Sequence, residues 1–330
     1  GTKKDKYFTS FENTYNNIAL TEVSDSRLAL SPAVVDVNGT KVCIAESDTE
    51  NYPGMFLHNP DKTTSLKGHF APVPNEIQIG GHNKLQSIVL SRHDYIAQCS
   101  GKSIFPWRVV IVAKNDSELA GTDMVYRLAS PADPTKDWSW VKPGKVAWDW
   151  WNDWNIDGVD FVSGINNDTY KHYIDFASKN GIEYVILDEG WSVNGAADLF
   201  QVVPEIDLEM LVEYASERNV GLILWAGYWA FDRDMEKVCE HYSKMGIKGF
   251  KIDFMDRDDQ HMVQFHQRAA MTAARYKLMV DFHGTYKPSG LNRTYPNVIN
   301  YEGVHGLEQM KWSPASVDQV TYDVTFPFIR

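Results

Sequence analysis

Basic residues are in deficit: the 330-residue chain carries 32 Lys and Arg against 44 Asp and Glu, a formal net charge of −12. No basic stripe offsets this, which argues against a nucleic-acid partner. Long apolar runs are also missing. None approaches the roughly 20 residues of a membrane-spanning helix, and no apolar signal core follows Gly1-Thr2-Lys3-Lys4-Asp5. No membrane partner is therefore expected, and the signal of an exported protein would have to lie outside this chain. Cysteine is scarce: Cys43, Cys99 and Cys239 are an odd number with no CxxC pair, which supports neither a disulfide framework nor a cysteine zinc site. Each is expected as a small buried hydrophobe. Aromatics, by contrast, are plentiful, with 11 Trp, 16 Tyr and 15 Phe. That is enough for a large folded core and for aromatic binding surfaces.

The chain changes character near residue 140. Before it, short alternating runs broken by turns predict an all-β sandwich over residues 1–130, incomplete at its beginning. Val34-Val35-Asp36-Val37 and Thr40-Lys41-Val42-Cys43-Ile44 flank Asn38-Gly39, the pair that favours a two-residue hairpin turn. Further strands are expected around Ile77, Ile88 and Val110, with no amphipathic helix between them. Residues 131–144, rich in Pro, Gly and charge, read as a linker.

From residue 145 to 330, apolar strand-like runs alternate with helices of period 3.6. Strands are expected at Val146, Val185, Ile223, Ile252, Val280 and Ile299. One helix is expected to be capped by Asp168, and His266 reads as a core-facing histidine. Repeated strand-then-helix units require a parallel sheet, and six of them favour a (β/α)8 TIM barrel. A doubly wound nucleotide-binding sheet would need a glycine fingerprint after its first strand, where Trp148-Asp149-Trp150-Trp151-Asn152 stands instead.

In a barrel the chemistry sits at the C-terminal ends of the strands. There the sequence places Trp148, Trp150 and Trp151, then Asp188, Trp225, Lys251 with Asp253, His283, and finally Glu302 and Glu308. Indoles mixed with carboxylates suit a sugar, whose C–H faces stack on aromatic rings while its hydroxyls donate to carboxylates. Glycoside hydrolysis needs two carboxyl groups flanking the scissile bond. Asp253 is the first, with Lys251 on the same strand face to keep it ionised. Glu302 or Glu308, brought together by a loop containing Gly303 and Gly306, is the second. Such oxygens also suit Ca²⁺. Asp256, Asp258 and Asp259 lack the spacing of a calcium loop and read as a solvated loop leading into the next helix.

Four segments together closely resemble glycoside hydrolase family 97. They are residues 142–152, Tyr184-Val185-Ile186-Leu187-Asp188-Glu189-Gly190-Trp191, Lys251-Ile252-Asp253-Phe254-Met255-Asp256, and Tyr301-Glu302-Gly303-Val304-His305-Gly306-Leu307-Glu308-Gln309. Residues 46–55 add a fifth. The family comprises calcium-dependent α-glucosidases and α-galactosidases, mostly exported enzymes of gut Bacteroidetes, so the resemblance implies a periplasmic or otherwise exported hydrolase. In its inverting branch a catalytic-base glutamate follows the histidine after strand five. Here Gly284 follows His283. In its retaining branch an aspartate ending strand four is the nucleophile, and Asp253 stands there. The resemblance thus implies a retaining, exo-acting α-galactosidase with Asp253 as nucleophile and Glu308 as general acid/base. It implies Ca²⁺ held by Glu302, Glu308 and a sandwich glutamate, Glu46 or its neighbour Glu50, with Glu46 preferred. Lys251, His283, Asp188, Trp148, Trp150, Trp151 and Trp225 become substrate contacts, and the partner an oligosaccharide or aryl α-galactoside. Retention asks for roughly 5–5.5 Å between the two carboxyl groups. The alternatives are an inverting α-glucosidase of the same family and a catalytically inactive sugar-binding module; an amidohydrolase would want a His-x-His on the first strand.

The barrel needs eight strands, yet after the sixth only residues 320–327 offer a seventh. Family members are about twice as long, with a further C-terminal β domain, so the chain is expected to be a fragment with its barrel cut before the last strand.

Overall fold

A computed structural model of the chain describes residues 5–23, 28–195, 197–312, 314 and 317–329; residues 1–4, read above for a signal core, lie outside them. Eight antiparallel strands come first: β1 (Ala29–Leu30), β2 (Ala33–Val37), β3 (Thr40–Ser47), β4 (Met55–His58), β5 (Lys67–Phe70), β6 (Pro74–Gly80), β7 (Gln86–Arg92) and β8 (Trp107–Ala113). They pair in the orders β1-β4-β5, β2-β3-β8 and β6-β7. Val37 pairs with Thr40 across Asn38 and Gly39, whose φ angles of 53° and 90° give the turn the twist its strands need. Along β8, Val109 and Ala113 are buried while Val110 and Val112 are exposed, so that sheet has one dry face. The expected all-β sandwich is thus three small antiparallel sheets. It is not purely β either, because α1 (Asp116–Ala120) and α2 (Met124–Leu128) follow β8. Helices shorter than two turns leave no periodicity to read. Residues 131–144 form neither helix nor strand.

The second half is a parallel sheet of β9 (Val146–Trp148), β10 (Tyr184–Leu187), β11 (Gly221–Gly227), β12 (Gly249–Asp253), β13 (Met279–Phe282) and β14 (Val298–Tyr301), paired in chain order. Between them run α3 (Asn167–Lys179), α4 (Leu208–Ser216), α5 (Tyr228–Met245), α6 (Gln260–Arg275) and the short α7 (Leu291–Thr294). A strand order that never reverses is that of a barrel wall, to which each right-handed crossover adds on the same edge; a doubly wound sheet reverses. Among the described residues β9 and β14 stay unpaired edges, so the expected eight-stranded barrel is here an open half-barrel. The segment expected as a seventh strand is helical: α8 (Gln319–Thr325) leads into a 3-10 turn. Its apolar Val320, Tyr322, Val324 and Phe326 fit both alternation and i,i+4 spacing. The Asp318 carboxylate decides for helix by accepting the Thr321 N–H at 3.0 Å and its hydroxyl at 2.7 Å.

Ile174, Leu187, Leu211, Leu224, Phe231, Phe250, Phe265 and Phe282 are wholly buried between sheet and helices. Asn166 caps α3 by accepting the Thr169 N–H at 2.9 Å, so the cap expected at Asp168 lies two residues earlier and Asp168 falls in the first turn. His266 faces the core as expected, its ring held by the Met262 carbonyl at 2.8 Å and the Thr285 hydroxyl at 2.7 Å. Cys43 and Cys239 are buried; Cys99, in an irregular loop, is exposed.

Asp256, Asp258 and Asp259 are not in a solvated loop but 4%, 1% and 0% exposed. The N-terminal half covers them. Thr9 and Gly54 donate their N–H groups to the carbonyls of Asp256 and Asp258 at 2.9 Å each, and Arg92 pairs with both Asp5 at 2.5 Å and Asp259 at 3.1 Å. The antiparallel half is thereby seated against the loop that leaves the C-terminal end of β12.

Candidate active site

The ends of β9, β10 and β12 are joined by buried charge. Asp149, just past β9, is fully buried and accepts from Tyr170 Oη at 2.7 Å, Trp154 Nε1 at 3.1 Å and the Asp188 N–H at 3.1 Å. Burial, then the charge of Asp188, pushes its carboxyl up to about 7. Asp188 in turn accepts from Lys251 Nζ at 2.7 Å and Trp148 Nε1 at 2.5 Å. The Lys251 ammonium lies 3.5 Å from Asp253 Oδ2 and 4.5 Å over the Trp148 ring. Burial works against its charge, but Asp188 and Asp253 outweigh it and hold Lys251 protonated. Asp253 accepts the Phe254 N–H at 2.8 Å and Trp225 Nε1 at 3.2 Å. Burial lifts its carboxyl above the ordinary range, while Lys251 and His283 pull it back toward the ionised form.

A second group adjoins it at the ends of β13 and β14. His283 bridges Asp281 and Glu302, each at 3.3 Å. Burial opposes its charge, yet the two carboxylates raise its pKa well above the imidazole value. Glu302 also accepts the Gly284 N–H at 3.1 Å. Against the upward push of burial, His283 and that N–H bring it down to about 2. Glu308 accepts from Trp150 Nε1 at 2.7 Å, and Lys311 sits 4.0 Å over the same indole. Burial raises the Glu308 carboxyl, the Trp150 bond opposes, and the charge of Glu302 adds to the rise. Neighbouring carboxyls with opposed protonation tendencies are what acid–base chemistry requires.

Glu12, which no sequence pattern marked, joins this group. It accepts from Gln309 Nε2 at 2.7 Å, and burial together with Glu302, Asp253, Asp256 and Glu308 pushes it up to about 9. Glu46 is elsewhere: its buried carboxylate takes Lys287, Arg108 at 2.5 Å and the Met55 N–H at 2.8 Å. The glutamate that the N-terminal half brings to Glu302 and Glu308 is therefore Glu12, and Glu46 is already neutralised by two cations. Trp151 is likewise not gathered with the carboxylates. It is 48% exposed and lines a cavity of about 590 Å³ between β9 and α3, with Val146 and Phe176. Trp148, Trp150 and Trp225 each bond a site carboxylate instead.

The donor set fits a hard cation. Hard oxygen ligands abound: Glu12, Glu302 and Glu308 share one acidic neighbourhood, in which burial first, and then the charges of Glu302, Asp253, Asp256 and Glu308, raise the Glu12 carboxyl. Among the described residues no three His, Cys, Asp or Glu side chains already close on one point. Glu12 could not be read beforehand, because residues 5–18 form no helix or strand; Asp149 stands in the strand-end run Trp148-Asp149-Trp150-Trp151-Asn152, which carries no signal for its burial.

Residues 2–131 match the family model described as glycosyl-hydrolase 97 N-terminal, and residues 150–304 the model described as glycoside hydrolase 97. A retaining alpha-galactosidase of Bacteroides thetaiotaomicron is 60% identical over 100% of this chain and 50% of its own length. A probable retaining alpha-galactosidase of Streptomyces bingchenggensis is 28% identical over 91% of this chain and 43% of its own. The chain thus spans about half the length of the curated relatives it matches. A family 97 enzyme from Pseudoalteromonas sp. strain K8, solved with acarbose, shares the fold with a TM-score of 0.75 at 23% identity, covering 94% of this chain and 48% of that one. Matched in both its halves by the models of one family, and along its whole length by a relative at 60% identity, the chain belongs to glycoside hydrolase family 97.

Proposed function

We propose that this chain carries the catalytic groups of a retaining, exo-acting α-galactosidase. One observation supports retention over inversion more than any other. Gly284, where the inverting branch places its base glutamate, has φ +52°, and a Cβ there would lie 2.9 Å from the Phe254 backbone nitrogen and 3.1 Å from Asp253 Oδ1. A side chain at this position collides with the nucleophile's own strand end, so Asp253 itself is left to act on the anomeric carbon.

In this reading Asp253 Oδ attacks the anomeric carbon as the bond to the leaving oxygen breaks, and Glu308 delivers its proton to that oxygen. Water then adds to the anomeric carbon, gives its proton to Glu308, and displaces the Asp253 carboxylate. Lys251 and His283 favour the ionised form of Asp253; burial shifts Glu308 toward its protonated form. Trp148 and Asp188 fix Lys251 and flank the sugar. Glu12, Glu302 and Glu308 are the residues that would hold calcium, which would supply positive charge to an anionic cluster and orient hydroxyl groups. We also read the half-barrel as the larger part of an eight-stranded barrel whose open edges, β9 and β14, are closed by two more units. The uninterrupted strand order and the exposed apolar Val146, Trp151 and Phe176 beside β9 support this.

Removing the nucleophile tests the mechanism. Asp253→Gly should abolish hydrolysis of an aryl α-galactoside, and added azide should restore aryl release while forming the β-galactosyl azide by a single displacement. Azide that restores nothing, or an unimpaired variant, would refute the assignment.

A further inference from the structure

The tip of the β6–β7 hairpin reaches from the antiparallel half into the barrel mouth and is not accounted for by the chemistry above. Its anchors are firm. Leu85 is 4% exposed within the barrel's own core cluster, and its carbonyl accepts the Trp229 N–H at 3.0 Å. Gln86 accepts the His82 N–H at 2.9 Å and donates to Asp256. Between these anchors Asn83 and Lys84 are both held in the left-handed region, φ 44° and 59°, a conformation that non-glycine residues keep only where the surroundings impose it, often at binding sites.

What the imposed turn presents is a polar pair on a carboxylate. His82 Nε2 lies 2.7 Å from Glu189 Oε2, and Asn83 donates to Glu189 Oε1 at 2.6 Å. Glu189 directly follows Asp188, the partner of Lys251. The His82 ring stacks at 4.7 Å on Phe254, the residue after Asp253, and Phe254 meets Trp225 edge-on at 6.2 Å. The tip therefore joins the site on the side of Asp253, between the ends of β10 and β12. The His82 side chain remains 46% exposed and that of Glu189 16%. With the Asn83 amide group committed to Glu189, its carbonyl oxygen is an acceptor, and an imidazole donating through Nε2 has Nδ1 as an acceptor.

We propose that His82 and Asn83 recognise hydroxyl groups of the terminal sugar bound over Asp253, and that Glu189 is a positioning residue that aligns them. This rests on the retaining α-galactosidase reading. In that mechanism the leaving group departs on the Glu308 side, so groups flanking the nucleophile contact the sugar being transferred rather than the one released. A specificity element contributed by the antiparallel half also explains why that half is seated on the mouth.

The test uses His82→Ala, Asn83→Ala and Glu189→Gln in the full-length protein, with Lys84→Ala, an exposed residue of the same tip, as control. kcat/KM is measured on an aryl α-galactoside, on α-galactosyl fluoride and on an α-galactosyl disaccharide, together with inhibition by galactose and thermal unfolding. His82→Ala and Asn83→Ala should each lower kcat/KM by about tenfold or more, the loss expected when a hydrogen bond to a sugar hydroxyl is removed. The factor should be the same on all three substrates, galactose inhibition should weaken in step, and Lys84→Ala should match the parent. Glu189→Gln should raise KM more than it lowers kcat. A loss confined to the disaccharide would place the tip on the released sugar and overturn the proposal. So would unchanged galactose inhibition, or a loss that tracks a lowered unfolding temperature alone. A parent inactive on all three substrates would instead bring down the α-galactosidase reading, and this proposal with it.

Discussion

Gly284→Ala probes the account with one methyl group. The added Cβ meets backbone, the Phe254 nitrogen at 2.9 Å and its Cα at 3.1 Å, as well as Asp253 Oδ1 at 3.1 Å, so no flexible side chain can simply swing aside. Holding alanine at φ +52° costs roughly 1–2 kcal/mol, and forcing a methyl into a packed site costs about 1–3 kcal/mol more. The sum, roughly 2–5 kcal/mol, corresponds to a fall in unfolding temperature of about 4–20 °C, at about 2–4 °C per kcal/mol for a domain of some 200 residues. Activity should suffer as well. The Gly284 carbonyl accepts the Asp256 N–H at 2.7 Å and its own N–H holds Glu302, so a shift here moves both walls of the site. A displacement near 1 Å costs about a hundredfold in rate. Differential scanning calorimetry and kcat on an aryl α-galactoside read the two effects. A variant that melts and turns over like the parent would show that the position tolerates a side chain, and the steric argument against an inverting base would fail.

Two further predictions concern the glutamates of the N-terminal half and the buried His266. Calcium should raise the unfolding temperature of the parent and of Glu46→Gln but not of Glu12→Gln. Glu46→Gln should also be less stable at the outset, by up to about 3–5 kcal/mol, because buried Lys287 then keeps only the longer contact to Asp258 at 4.0 Å; loss of the calcium response in Glu46→Gln alone would return the metal to that residue. Burial holds His266 down to about 4, whereas the unfolded chain takes up that proton near 6.5. The unfolded state therefore binds more protons across this window, and stability should fall as pH drops from about 6.5 to 4. Urea unfolding of His266→Gln should show a shallower fall over that range, and an unchanged slope would contradict the buried neutral ring.

Strands and helices of the second half were legible because their apolar periods are long and bounded: Asp207 and Asp259 cap the starts of α4 and α6, and Gly246 ends α5. The first half was harder. Its two helices of five residues have no period; in the second half only residues 320–327 were ambiguous, satisfying two periods at once, with a single cap at Asp318 deciding. Of the site, what comes from strand ends was readable by position, as Lys251 beside Asp253 illustrates. What comes from irregular backbone was not. Glu12 has no regular element around it, and His82 and Asn83 owe their place to a strained hairpin tip. The three aspartates after β12 look solvated in sequence because the Arg92 and Gly54 that cover them lie more than 160 residues earlier. The excess acidity of the whole chain thus has a local expression in the carboxylates around Glu12, which add to burial in raising its carboxyl.

The central claim is that Asp253 works by double displacement. Following hydrolysis of an aryl α-galactoside by proton NMR, before the sugar mutarotates, tests it most directly. The account predicts that α-galactose forms first and the β anomer grows in later; β-galactose as the first product would contradict it.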